Sequence, residues 1–257
     1  LYKKEKRIEF NYSLFKLPVT SAESIYVAFP FTLPESHLVF EAQGGMVVPG
    51  KDQLEGTSSD WNTIQSFASV RGAGSQILFS SVQMPLVQFG GINTGKYDYI
   101  SNPKHPWIFS WPMNNYWTTN FRALQEGEHK WTYTISSTAD LSNVSATRFG
   151  WDSQIPMLTR VQPAGSSDIP MEPVSFFDLE TPGVLLVSCR PSLDGSGIVL
   201  HLREVNGSTL SIPSASILKK NSAKSITEVN ATEGKLADAE NEIVLNPYEV
   251  KFIKIQF

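Results

Sequence analysis

The segment RIEFNYSLFKL, residues 7–17, decides the class of fold. Apolar side chains alternate with polar ones along it, which is the pattern of a β-strand that buries one face. Short runs of the same kind follow, rich in β-branched and aromatic residues and bounded by Gly, Pro, Asn or Ser. They are SIYVAFPF (residues 24–31), HLVFEAQG (37–44), DWNTIQSFASVR (60–71), SQILFSSVQMPLVQFGG (75–91) and KWTYTISS (130–137). The sequence therefore predicts an all-β fold.

Helices are expected to be few. Apolar residues do not recur at helical spacing over any long stretch, and only residues 218–228 and 232–239 carry a weak helical pattern. The 16 Pro and 17 Gly of the chain favour many turns between short strands.

A change of composition predicts two domains. The stretch QPAGSSDIPMEP, residues 162–173, holds three Pro, one Gly and two Ser and has little to bury, so it has the character of a linker. We therefore expect a larger β domain over residues 1–161 and a small C-terminal β-sandwich over residues 174–257.

The second domain shows its own strand pattern. GVLLVSCR (residues 183–190) and IVLHLREVNG (198–207) flank a Gly-rich turn that contains Asp194 and Gly195, which predicts a hairpin. Cys189 is the only cysteine, so the chain cannot form an intrachain disulfide. Because it follows an apolar run, we expect its side chain to be buried in a strand as a small hydrophobe.

Composition bounds the function. The chain has 257 residues, of which 41% are hydrophobic and 18% charged, so it can bury a substantial core. Its net charge of −4 argues against a nucleic-acid partner, since phosphate binding needs a basic surface. No stretch approaches the ~18 apolar residues of a transmembrane helix, so no membrane span is expected. The chain begins without Met, which suggests either processing or a piece cut from a longer polypeptide.

Aromatic and amide side chains are concentrated in HPWIFSWPMNNYWTTNFRALQEG, residues 105–127. Aromatic faces stack on the apolar face of a sugar ring, and amides pair with its hydroxyls. The alternative is a β-sheet core rich in large aromatics, with the Asn residues in turns. The candidates for carbohydrate contact are Trp111, Asn114, Asn115, Tyr116, Trp117 and Asn120.

Local signatures of catalysis are missing from the sequence. The four His residues give no metal-binding spacing, and neither a nucleophile elbow nor a phosphate-binding loop occurs. Asp60, Asp152 and Glu126 stand beside or near aromatic residues, as the carboxylates of a glycoside hydrolase can. Each also fits an ordinary turn or a solvated strand face. Glu204 and Glu249 follow or precede turns and fit structural acceptors. The pattern favours a binding or scaffolding β module over a self-sufficient enzyme.

Four phrases appear in an order that resembles the C-terminal β region of glycoside hydrolase family 38, the retaining α-mannosidases. They are ESIYVAFPF (residues 23–31), NNYWTTNFRALQEG (114–127), LREVNG (202–207) and PYEVKFIKI (247–255). The resemblance covers nearly the whole chain. It implies a galactose-mutarotase-like supersandwich, incomplete here, followed by a small terminal β-sandwich.

The same resemblance implies a partner. In that family an N-terminal α/β domain carries the zinc ligands, the aspartate nucleophile and the aspartate acid/base, so no catalytic residue and no cofactor is expected in this chain. Zinc or another divalent metal is expected in the missing domain. This chain would pack against that domain, and residues 111–120 would rim a cleft for mannose-containing glycans. A free-standing carbohydrate-binding module and a purely structural β protein are the alternatives.

Overall fold

The computed structural model describes residues 4–57, 60–93, 102–115, 124–161, 179, 181–218, 223–239 and 241–257. Two compact units make up the chain, Leu1–Pro156 and Met157–Phe257. The predicted linker at 162–173 lies outside the described residues, and the predicted domain boundaries beside it stay predictions. Both units consist of antiparallel sheets, none of them closed, so the all-β prediction is confirmed.

Two sheets form the first unit. The six-stranded sheet has the order β1-β10-β7-β6-β3-β4, and the four-stranded sheet has the order β2-β9-β8-β5. The strands are β1 (Arg7–Lys16), β2 (Ser24–Phe29), β3 (His37–Ala42), β4 (Gly45–Val47), β5 (Asn62–Thr63), β6 (Ala68–Gly72), β7 (Ser75–Ser80), β8 (Leu86–Phe89), β9 (Ile108–Asn114) and β10 (Gly127–Thr138).

The core of the first unit joins side chains from both sheets. Phe29 and Ile108 of the four-stranded sheet pack in one buried cluster with Phe79 and Tyr133 of the six-stranded sheet. The Tyr133 hydroxyl donates to Ser110 Oγ at 2.9 Å, which links β10 to β9 across the core. Burial raises the pKa of Tyr133 to about 12. The apolar faces of the two sheets thus pack against each other, as the alternation of apolar and polar residues in β1 predicts.

One helix, α1 (Asn143–Gln154), packs on the first unit. Ser142 caps it by accepting a hydrogen bond from the Ser145 N–H at 3.1 Å. Ala146 and Phe149 contact Phe67 and Leu78, and a methyl group on Gly150 would approach Ser66 to 3.0 Å. No apolar stripe in the sequence predicts α1, because its buried residues are the small Ala146, Thr147 and Gly150, and Phe149 is its one large apolar contact with Phe67 and Leu78.

The second unit contains a five-stranded sheet of order β11-β12-β17-β14-β15 and a two-stranded sheet β13-β16. Its elements are β11 (Val184–Pro191), β12 (Gly197–Glu204), β13 (Leu210–Pro213), α2 (Ser214–Leu218), β14 (Ser225–Val229), β15 (Lys235–Asp238), β16 (Glu242–Leu245) and β17 (Val250–Gln256). The weak helical patterns at 218–228 and 232–239 give wrong predictions. Strand β14 occupies residues 225–228 of the first stretch, and strand β15 occupies residues 235–238 of the second.

The predicted burial of Cys189 is wrong. The residue lies in β11 as expected, but its side chain is exposed. β11 is an edge strand with a register shift between Leu186 and Ser188, so its second half turns away from the core. The apolar run before Cys189 therefore indicates the strand correctly but not the burial of this residue.

Glu204 and Glu249 have the structural role that the sequence indicates. The fully buried Glu204 carboxylate accepts hydrogen bonds from the backbone N–H groups of Asn206, Gly207 and Tyr248, at 2.6, 2.8 and 2.8 Å. Glu249 Oε2 accepts from the backbone N–H of Asn246 at 2.7 Å. These carboxylates fix the turn after β12 and the turn before β17.

The predicted hairpin turn at Asp194 joins β11 to β12, and its carboxylate organises the turn. Asp194 Oδ1 accepts from the hydroxyls of Ser192 and Ser196 at 2.7 and 2.8 Å, and Lys254 Nζ lies 2.7 Å from Oδ2. The Lys254 ammonium and these hydroxyls hold the pKa of Asp194 well below its ordinary value. Asp194 in turn raises the pKa of Lys254.

This carboxylate should make the second unit sensitive to acid. The pKa of Asp194 is lower in the folded chain than its ordinary value of 3.8. The ionised carboxylate therefore stabilises the folded chain at pH values above 3.8, and this stabilisation is lost as the pH falls towards the lower pKa of the folded chain. Between about pH 5 and about pH 2 we therefore expect the thermal midpoint of the wild type to fall further than that of D194N.

The matched control is D238N, which removes an exposed ion pair between Lys235 and Asp238. Its thermal midpoint should follow that of the wild type across the same range. Parallel pH profiles for the wild type and D194N would contradict the role given to Asp194.

Candidate functional site

The structure describes part of the aromatic and amide segment that the sequence singles out. Trp111 and Asn114 lie in β9, between β2 and β8, and Asn115 follows the strand directly. Tyr116, Trp117 and Asn120 lie outside the described residues. The three described candidates occupy three different environments.

Trp111 is buried inside the protein, with only 4% of its surface exposed. Its indole N–H donates to Ser24 Oγ of the neighbouring strand β2. Its ring stacks parallel to the ring of Tyr26, with centroids 5.6 Å apart, and contacts Trp61 at 5.7 Å in a tilted geometry. Tyr26, Trp61 and Trp111 form one cluster, which we call the aromatic anchor.

Asn115 bonds to the connection between β1 and β2. Its side-chain Oδ1 accepts from the Glu23 backbone N–H at 2.6 Å, and its Nδ2 donates to the carbonyls of Val19 and Ser21 at 3.0 and 3.1 Å. Its backbone N–H also donates to the Glu23 carbonyl at 3.0 Å. These four bonds fix the point at which the chain leaves β9.

Asn114 differs from its neighbour. Its side chain is half-buried, and its Oδ1 atom is inaccessible to solvent and has no hydrogen-bond partner among the described residues. A buried amide oxygen in this state favours pairing with a further donor. Of the three described candidates, Asn114 therefore has the most unused hydrogen-bonding capacity.

Together these contacts fix the described end of β9. The aromatic anchor holds the end of β9 from one side, and Asn115 ties it to the β1–β2 connection. The six predicted carbohydrate contacts stay a prediction. The partners Ser24 and Tyr26 have no signal in the sequence, because they stand more than 80 residues before Trp111 and meet it only through strand pairing.

The three carboxylates that stand near aromatic residues lie on separate elements. Asp60 is buried, precedes β5 and lines a cleft of about 290 Å³ together with Asn93, Lys104 and His105. Asp152 lies in α1 and is exposed, and Glu126 is exposed beside the start of β10. Cleft residues such as Lys104 and His105 carry no motif that the sequence analysis could have used.

Within the described residues, no three His, Cys, Asp or Glu side chains come together in a group that could hold a metal ion. In the same part of the chain, no helix has the length and apolar character needed to cross a membrane.

Comparison with known proteins gives matches among solved structures only. No protein-family model and no curated protein sequence matches this chain. An α-mannosidase from Enterococcus faecalis V583 matches with a TM-score of 0.69 at 11% identity. A glycosyl hydrolase family 38 protein from Enterococcus faecalis matches with a TM-score of 0.67, also at 11% identity.

Both matches cover 100% of this chain, but the chain spans only 28% and 29% of the matched structures. Identity at this level establishes the fold alone. The resemblance to family 38 that the four sequence phrases indicate is therefore confirmed at the level of the fold: these 257 residues have the all-β architecture of a portion of an α-mannosidase.

The aromatic anchor should be a stability element. Replacing Trp111 with Ala removes a buried ring and its hydrogen bond, so we expect the free energy of unfolding of the first unit to fall by about 3–5 kcal/mol. Chemical denaturation followed by circular dichroism measures the loss. Trp107→Ala is the matched control, because this half-buried tryptophan stacks on the exposed His105 at 4.3 Å and should cost clearly less. Wild-type stability in W111A would contradict a structural role.

Proposed function

We propose that this chain is the C-terminal β portion of an α-mannosidase-like retaining glycoside hydrolase, and that it supports and rims the sugar cleft. The observation that carries the proposal is the match of the whole chain to less than a third of an α-mannosidase. The four ordered sequence phrases support it independently, because they depend on residues and not on the fold.

The catalytic groups are assigned to the rest of the longer polypeptide. A retaining glycosidase places two carboxyl groups about 5–5.5 Å apart, one as nucleophile and one as acid and base. Within the described residues, Asp60 precedes β5, Glu126 precedes β10 and Asp152 lies in α1, and no group of His, Cys, Asp or Glu could hold a metal ion. In the proposal, the catalytic domain outside these 257 residues holds the zinc or other divalent metal.

The contribution of this chain is positional. The aromatic anchor and the four bonds of Asn115 fix the end of β9, which in the proposal presents the following residues to the glycan at a lower cost in conformational freedom. In the proposal, Tyr116 and Trp117 stack on a mannose ring, and Asn120 pairs with its hydroxyls. The partners are therefore the catalytic domain and mannose-containing glycans.

Activity assays on the longer polypeptide test the proposal. It should hydrolyse 4-nitrophenyl α-D-mannopyranoside with retention, whereas the 257-residue chain alone should not. Trp117→Ala should lower kcat/KM by about fivefold, since loss of one aromatic stacking contact costs about 1 kcal/mol, and should leave the thermal midpoint unchanged. Trp107→Ala is the matched control and should keep wild-type kcat/KM.

Two results would contradict the proposal. The first is a longer polypeptide with no activity on α-mannosides. The second is a mannoside affinity of the isolated 257-residue chain equal to that of the longer polypeptide, which would favour a free-standing carbohydrate-binding module.

A further inference from the structure

The turn after β12 carries the one Asn-Gly pair of the sequence, Asn206 followed by Gly207. Both residues are exposed. In such a pair the backbone nitrogen of the glycine can attack the side-chain amide carbon of the asparagine, because glycine has no Cβ to obstruct the approach. Every other asparagine of the chain precedes a residue with a side chain, so Asn206 is the asparagine whose sequence most favours deamidation.

Deamidation at this pair needs only water, to which the exposed Asn206 side chain has access. The Gly207 nitrogen loses its proton and bonds to Cγ of Asn206, and the side-chain nitrogen Nδ2 takes up a proton and leaves as ammonia. Water then opens the resulting cyclic imide at either of its carbonyls. The product is an aspartate or an isoaspartate at position 206, and it is heavier than the asparagine because a hydroxyl has replaced an amino group.

The buried carboxylate of Glu204 opposes the first step of this reaction. Glu204 Oε2 accepts a hydrogen bond from the Gly207 N–H at 2.8 Å, and Oε1 accepts one from the Asn206 N–H at 2.6 Å. Attack requires the Gly207 proton to leave, which breaks the first of these bonds and creates a negative nitrogen beside a negative carboxylate. The intact turn therefore disfavours the reactive form of the nitrogen.

Tyr248 holds the same turn from another side. Its backbone N–H donates to the Oε2 atom of Glu204 at 2.8 Å. Its ring lies against Gly207, where an added Cβ would come within 2.7 Å of the Tyr248 hydroxyl oxygen. Gly207 itself has a φ of +77°, a conformation that glycine adopts without strain. The Gly207 nitrogen therefore keeps its place as long as these contacts persist.

We propose that Asn206 is a deamidation site and that the Glu204 carboxylate sets its rate, so that the reaction is slow in the closed turn and fast once the turn opens. An isoaspartate adds a methylene to the backbone between position 206 and Gly207, which moves the Gly207 N–H away from Glu204 and keeps the turn open. The extent of the reaction thus records how long the turn has been open. The inference concerns only the second unit and is independent of the proposed function.

Peptide mass spectrometry of the 257-residue chain, incubated in mildly alkaline buffer, measures the rate at Asn206. In the folded chain the rate should be at least about tenfold lower than in the same chain unfolded by urea. The matched control is Asn230, which is exposed and precedes Ala231, and which should react clearly more slowly than Asn206 in urea. Equal rates at Asn206 in the folded and unfolded chain would overturn the inference, as would equal rates at the two asparagines in urea.

A substitution isolates the role of the carboxylate. Glu204→Gln keeps the shape of the side chain but removes its negative charge, so the folded variant should deamidate at Asn206 at least about threefold faster than the wild type. The matched control is Glu242→Gln, which changes an exposed carboxylate on β16 of the same unit and should keep the wild-type rate. A wild-type rate in folded Glu204→Gln would contradict the role given to Glu204.

Amide hydrogen exchange of the wild type, followed by NMR, decides the question if Glu204→Gln does not fold. The Gly207 amide is exposed in a turn, yet its bond to Glu204 should slow its exchange at least about tenfold relative to the urea-unfolded chain. Exchange at the unfolded rate would overturn the inference. The isoaspartate form, separated by ion exchange, should also have a thermal midpoint about 4 °C below that of the unmodified chain, and equal midpoints would contradict the opening of the turn.

Discussion

The buried hydroxyl of Tyr133 is the constraint on which the first unit depends. Its ring is fully buried between the sheets, where Phe29 and Phe79 contact it, and an unpaired hydroxyl there would be costly. Ser110 of the opposite sheet satisfies it at 2.9 Å. This bond fixes the position of β9 relative to β10. Because side chains alternate along a strand, the next residue, Trp111, lies on the other face of β9, where it contacts Tyr26 and Trp61. Asn115 follows the end of the strand and bonds to the β1–β2 connection.

Local alternation explains why most strands could be predicted. The pattern of β1 depends only on which side chains follow one another, and strand pairing preserves it. Helix α1 could not be found in this way, because Ala146, Gly150 and the single aromatic Phe149 make its contacts and do not give an apolar period. The sequences of β14 and β15 carry a weak helical pattern, because short and largely exposed strands have too few apolar residues to show alternation. Cys189 shows that an edge position is also invisible to local patterning.

The candidate site also depends on contacts between residues that are far apart along the chain. The sequence indicates an unusual concentration of tryptophan and asparagine, and these residue types serve equally in a core and in a sugar cleft. The structure distinguishes them only through partners that are distant along the chain. Asn115 meets Val19 and Ser21 across more than 90 residues, and Trp111 meets Ser24 through strand pairing. Asn115 and Trp111 therefore hold the end of β9, while the Asn114 amide oxygen is buried without a hydrogen-bond partner among the described residues.

As proposed, this chain is the β portion of a larger enzyme, and Trp111 and Asn115 fix the end of β9 within it. The mass of the native polypeptide tests this most directly, measured by denaturing immunoblot of source cells with an antibody raised against these 257 residues. We expect one band far above 28.5 kDa. A band at 28.5 kDa would contradict the proposal, because the catalytic domain could then not belong to the same polypeptide.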